Sequence, residues 1–219
     1  DITIEGGSDK TAYLIAASQF HQDGNTIGNY YDRYTFRTNL QARPKDWLKV
    51  GANVNASLSQ DMANEEWGNS SESSNYVSGG LSYKINPLIP AIVENGKYPN
   101  GLYDPYFSTE NYVNKYDTYR AIASAFAEIE PVKNLVYTAR VGTDAYVKFM
   151  DRYLKPSSQM SSTGMVQKSA YYGAKTTVNN TLEYKMFFND NKYDLSILLG
   201  HEFLDYGYKN QIAFGTGLT

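Results

Sequence analysis

The chain has 219 residues, 20 Lys and Arg against 23 Asp and Glu, a formal net charge of −3, 21 Tyr and no Cys. The lack of Cys excludes disulfides and thiolate metal sites, the absence of a basic surplus or patch speaks against nucleic acid, and no run of eighteen apolar residues marks a transmembrane helix. The mean hydropathy of −0.52 suits a soluble protein, but it also suits a transmembrane barrel, in which half of every strand faces a polar lumen.

In chain order, strand-like segments fall near 1–7, 11–20, 29–43, 46–61, 118–130, 134–150, 171–189 and 192–206. The fourth is the most informative. Leu48, Val50, Ala52, Val54, Ala56 and Leu58 alternate with Lys49, Gly51, Asn53, Asn55 and Ser57. Successive strand side chains point to opposite faces, so one face is apolar and the other polar. The same rhythm runs through Tyr34, Phe36, Leu40 and Ala42, through Leu135, Tyr137, Ala139, Val141, Ala145, Val147 and Phe149, and through Val178, Leu182, Tyr184, Met186 and Phe188. A helix repeats near 3.6 residues instead. Soluble strands are mostly about five or six residues long, whereas a tilted bilayer-spanning strand needs about 9–11.

The connections sort by length. Ser8-Asp9-Lys10, Pro44-Lys45, Pro131-Val132-Lys133 and Asn189-Asp190-Asn191 are short, and 21–28, 62–117 and 151–170 are long. Every second connection is therefore tight, at one common end of the sheet, as in outer-membrane barrels with short periplasmic turns and long external loops. Pro, Asn and Asp suit the tight turns. Trp47 and Tyr193 lie just past two of them, as members of an interfacial aromatic girdle or as ordinary hairpin aromatics. The predicted fold is all-β, an antiparallel transmembrane β-barrel portion of about eight strands, with 1–219 a partial barrel belonging to a longer protein. A soluble antiparallel sandwich also alternates and is the rival architecture.

The stretch 62–117 is too long for a plain connector. Pro87, Pro90, Pro99 and Pro105 restrict it, and it carries Trp67, Tyr76, Tyr83, Tyr98, Tyr103 and Tyr106. It is expected to be a folded extracellular excursion. These six aromatics are the candidate substrate or partner contacts, through stacking on sugar rings or packing against a partner; packing of the loop on itself is the competing explanation.

Several motifs are similar to those of SusC/RagA-type TonB-dependent outer-membrane transporters. Gly6-Gly7, Tyr13–Phe20 and Asp23-Gly24 lead to Arg33-Tyr34-Thr35-Phe36-Arg37-Thr38-Asn39, resembling a "GG…Y…S…Y…G" segment before an "R-(Y/F)-x-x-R-x-N" strand. Trp47-Leu48-Lys49-Val50-Gly51-Ala52-Asn53 resembles "W-L-K-x-G-x-N", and Asn86-Pro87, Pro90 and Asn95–Tyr98 the family's proline-rich loop. Leu182-Glu183-Tyr184 and Leu198–Glu202 resemble its later strands. The resemblance implies a 22-stranded barrel around an N-terminal plug, a SusD-like surface lipoprotein as partner, TonB acting on the plug, and glycan or peptide uptake across the outer membrane of Bacteroidota-type bacteria. This chain would cover an early part of that barrel and lacks the plug domain. The alternative function is a secreted or surface β-sandwich binding module, an adhesin or carbohydrate-binding domain.

No catalytic, cofactor or metal constellation stands out, so the chain is not expected to be an enzyme. His201 and Glu202 are strand neighbours and point to opposite faces, which prevents them from sharing a ligand. Glu128 and Glu130 share a face near a turn, where solvation explains them. Arg33, Arg37, Arg140 and Lys148 are expected to line the lumen or face a plug, or to form salt bridges across the wall.

Overall fold

A computed structural model describes residues 1–24, 28–62, 88, 111–156, 163–188 and 192–217. They form one antiparallel sheet of eight strands in sequence order, each paired with its chain neighbour. The strands are β1 (Ile2–Ser8), β2 (Thr11–Asp23), β3 (Tyr30–Lys45), β4 (Leu48–Met62), β5 (Tyr112–Val132), β6 (Leu135–Leu154), β7 (Met165–Phe188) and β8 (Tyr193–Thr216). The sheet is open, with β1 and β8 at its edges. All eight anticipated segments are strands, but three reach further than the hydrophobic rhythm does. β5 begins at Tyr112 rather than 118, β7 at Met165 rather than 171, and β8 continues to Thr216 rather than 206. Residues 112–117 of the anticipated excursion therefore belong to the sheet.

The tight hairpins lie at one end. At the β1–β2 turn, the Ser8 and Thr11 hydroxyls hydrogen-bond at 2.9 Å. The β3–β4 turn follows a register shift between Ala42 and Lys45, where Pro44 cannot donate to the ladder. At the β5–β6 turn Asn134 takes φ 69°, a left-handed conformation that Asn tolerates. Its N–H donates to a Glu130 carboxylate oxygen at 2.9 Å. Glu130 is thus a turn cap.

Outside the turn-adjacent shifts the ladder is continuous, so cross-strand partners share a face. One row joins Tyr13, Leu40, Ala52, Ala125, Val141, Val178 and Phe203. Four residues towards the long-loop end, another joins Phe36, Ala56, Ala121, Ala145 and Ala174. The next joins Tyr34, Leu58, Tyr119, Val147 and Tyr172. At the hairpin end of this face stand Tyr137, Leu182, Tyr184 and Tyr193, so Tyr193 is one of several aromatics at that level. Beyond the Tyr34 row the face turns polar, with His21, Asp32, Gln60 and Asp117 in one row.

The apolar band on β4 runs from Leu48 to Leu58. At about 3.3 Å per residue and a tilt of about 45°, that run is roughly 23 Å tall, close to the band of a bilayer-spanning barrel. Its large side chains are solvent-facing in the isolated sheet: Tyr34 is 47%, Leu40 52% and Tyr119 50% exposed. In a packed sandwich they would be covered by a second sheet. β8 departs from the pattern. His201, Asp205 and Lys209 share the face of the apolar band, and Leu198, Leu204 and Ile212 the other.

Val54 sits mid-band, paired with Thr38 and Ala123, and Asn53 on the opposite face. In the full-length barrel Val54→Arg is expected to cost about 2–4 kcal/mol, and Asn53→Arg far less. Denaturant titration of the folded barrel in lipid checks this; equal losses would refute the face assignment.

Candidate functional site

The polar face is the candidate functional surface. The ladder brings Asn39, Asn53, Ser124, Gly142 and Thr177 into one row. Asn53 Nδ2 lies 3.4 Å from the Ser124 hydroxyl. The row towards the hairpins holds Gly51, Phe126, Arg140, Asn179 and Glu202. Gly51 makes room there: a Cβ at this position would run into the Phe126 ring, which lies across the glycine. Phe126 in turn holds the Arg140 guanidinium 5.3 Å and the Lys49 ammonium 5.9 Å from its ring centre. Gly173 likewise makes room for the Tyr146 ring.

Towards the long-loop end the face becomes richer in aromatics and cations. Phe20, Arg33, Ser59, Thr118, Lys148, Tyr171 and Asn210 form one row. The Arg33 guanidinium lies 5.8 Å from the Phe20 ring centre, and the Lys148 ammonium 3.9 Å from that of Tyr116. Arg120 is bidentate on Asp144, at 2.8 Å through Nε and 2.5 Å through Nη2. Further out, Tyr112, Asn114, Tyr116, Met150 and Leu154 are buried on this same face. Arg152 Nε donates to the Asn114 side-chain oxygen at 3.2 Å.

Arg33, Arg37, Arg140 and Lys148 all lie on this face, and none of them forms an ion pair with a carboxylate among the described residues. On this face an ion pair between strands is instead Arg120–Asp144, which the sequence did not single out. Those two are 24 residues apart, and only the β5–β6 register makes them diagonal neighbours. Trp67, Tyr76, Tyr83, Tyr98, Tyr103 and Tyr106 lie outside the described residues. Among the described residues no group of His, Cys, Asp or Glu is arranged to hold a metal ion. His201 pairs with Asn180 on the apolar-band face, and Glu202 with Asn179 on the polar face, so the two diverge.

On the other face, beyond the apolar band, His21 Nδ1 is 2.6 Å from Asp32 Oδ1 and its Nε2 3.3 Å from Asp23 Oδ1. The hydrogen bond to Asp32 is the largest cause raising the His21 pKa above its ordinary value of 6.5; desolvation opposes it and Asp23 adds to it.

An open meander of long strands, with an apolar band bounded by aromatics on one face and a polar, aromatic–cationic opposite face, defines a segment of transmembrane β-barrel wall. No protein-family model matches the chain. It is 25% identical over 213 residues to TonB-dependent receptor P3 of Formosa agariphila, covering 92% of this chain and 21% of that protein. It is 37% identical over 57 residues to TonB-dependent receptor P26 of the same organism, covering 26% of this chain and 6% of that one. Among solved structures it resembles the RagAB peptide importer in its "open-open" state, with a TM-score of 0.81, 25% identity, and coverage of 99% of this chain and 25% of that chain. Against the "closed-closed" state the TM-score is 0.76 at 24% identity, with the same coverage. In sequence and fold the chain is similar to part of the barrel of SusC/RagA-type TonB-dependent transporters. It spans about a fifth to a quarter of the length of these relatives.

Two outcomes follow. A double-mutant cycle of Arg120→Gln and Asp144→Asn in the full-length barrel should give a coupling of about 0.5–1 kcal/mol, because the pair is bidentate but partly exposed; zero coupling would remove its role in the wall. Because the folded His21 pKa is raised, its stabilisation is complete below the ordinary value and lost as pH rises through the raised one. The unfolding temperature should fall across that window, and His21→Gln should remove the step.

Proposed function

We propose that this chain is wall from a transporter that takes up glycans or peptides across a bacterial outer membrane, driven through TonB and working with a SusD-like surface lipoprotein. The observation that carries the reading is the register-locked separation of an apolar band from a polar face along an open eight-stranded meander. The likeness to a RagAB peptide importer and to TonB-dependent receptors supports the same reading. TonB acts on a plug that belongs to the longer protein, and outer-membrane lipid covers the apolar band. The chain contains no G-x-x-x-x-G-K-[ST] phosphate loop, so the proposed energy source is mechanical coupling from the inner membrane.

In this reading the short hairpins are periplasmic. The connection from Met62 to Tyr112 is extracellular, where its aromatics, Trp67, Tyr76, Tyr83, Tyr98, Tyr103 and Tyr106, meet cargo or the lipoprotein.

Deleting TonB should abolish uptake by the full-length protein while its barrel still assembles in the outer membrane. Radiolabelled-cargo uptake and heat-modifiable mobility read the two halves of that statement, and undiminished uptake without TonB would point to a passive pore. An epitope inserted near Ser71 should be reached by antibody on intact cells; labelling only after permeabilisation would reverse the orientation.

A further inference from the structure

The charges on the polar face are unevenly placed. From the Asn55 row to the long-loop end, β2 to β8 carry six cations on this face, Arg33, Arg37, Arg120, Lys148, Arg152 and Lys175, against two carboxylates, Asp61 and Asp144. The chain as a whole is net negative at −3. Cations are therefore concentrated on one half of one face. Arg120 is engaged by Asp144, and Arg152 by Asn114 and Tyr116. Arg33, Arg37, Lys148 and Lys175 form no ion pair with a carboxylate among the described residues, though Lys175 stands across the ladder from Asp144, and Arg33, Arg37 and Lys175 are exposed.

The second observation is the pairing. Arg33 is the direct cross-strand partner of Phe20, Arg120 of Tyr146, Lys148 of Tyr171 and Lys175 of Tyr206. Directly opposed side chains stand about 5 Å apart at Cβ. The wall thus repeats one unit: an aromatic ring with a cation beside it. A ring can stack on the C–H face of a sugar, and a cation one step away can reach an acidic substituent carried by that sugar. An acidic peptide offers the charge but no regular ring face.

We infer that the outer half of the polar wall selects oligosaccharide cargo bearing fixed negative charge, as sulfate or carboxylate groups, through these aromatic–cation pairs. The inference rests on the transporter reading and adds the chemical class of cargo to it. The exposed cations raise the local concentration of an anionic ligand and favour it over a neutral one, an effect that salt screens.

The test uses the purified full-length protein with three probes: short dextran sulfate fragments, uncharged dextran fragments of equal length, and oligoglutamate. The sulfated fragments should bind at least about ten-fold more tightly than the uncharged ones, with the difference shrinking steeply as salt is raised. Lys148→Gln with Lys175→Gln should remove most of that preference, bringing the affinity for the sulfated fragments close to that for the uncharged ones. If the double variant does not assemble, the salt dependence of the unaltered protein decides. Equal binding of sulfated and uncharged fragments, or binding of neither, overturns the inference. Tighter binding of oligoglutamate than of dextran sulfate assigns the cations to acidic peptides and overturns it as well. TonB-dependent uptake persisting alongside any of these failures leaves the transporter reading standing; loss of TonB dependence removes that reading instead.

Discussion

Everything in this structure depends on the register of the backbone ladder. Side chains alternate with a period of two, so slipping any strand by one residue would move its apolar set to the polar face and its charges into the apolar band. From β4 to β8 the pairing proceeds without a shift except beside the β5–β6 turn. Both shifts in the sheet lie next to hairpins, between Ala42 and Lys45 and between Ile129 and Val132. Irregularity is thus confined to places where the strand is already leaving the band. In hydrocarbon an unpaired backbone group has no water to turn to, so the same ladder that fixes the faces also satisfies the N–H and C=O groups.

The two faces use similar residues for different ends. Tyr34, Tyr119 and Tyr172 share a row at the outer limit of the apolar band, where a ring with one polar tip suits an interface. On the polar face Tyr146 lies over Gly173 and Phe126 over Gly51, filling the space that a missing side chain leaves. Phe126 then serves as a platform for Lys49 and Arg140. Tyrosines among the described residues are therefore divided between the limit of the apolar band and the polar face.

Much of this was legible in the sequence. The alternation in β4, the short hairpins and the split into short and long connections are local features, and each survives folding. The extra lengths of β5, β7 and β8 were not legible, because beyond the apolar band the strands carry polar residues on both faces: Lys115 and Asp117 stand on the outer face of β5, opposite in direction to Asn114 and Tyr116. Those segments stay in the sheet because their neighbours supply ladder partners, such as Arg152 for Asn114. For the same reason β8 carries His201 and Asp205 among apolar neighbours without losing its pairing with β7.

Local sequence specified an all-β chain, strands long enough to span a bilayer, and which residues of β3, β4, β6 and β7 share a side. It did so because strand periodicity and turn chemistry act over only a few residues. Folding alone set the residue-by-residue pairing of neighbouring strands. That step placed Asp144 against Arg120, Lys148 over Tyr116 and a cation next to an aromatic along the outer half of the polar wall. Those contacts join positions tens of residues apart, and their geometry exists only once the register is fixed.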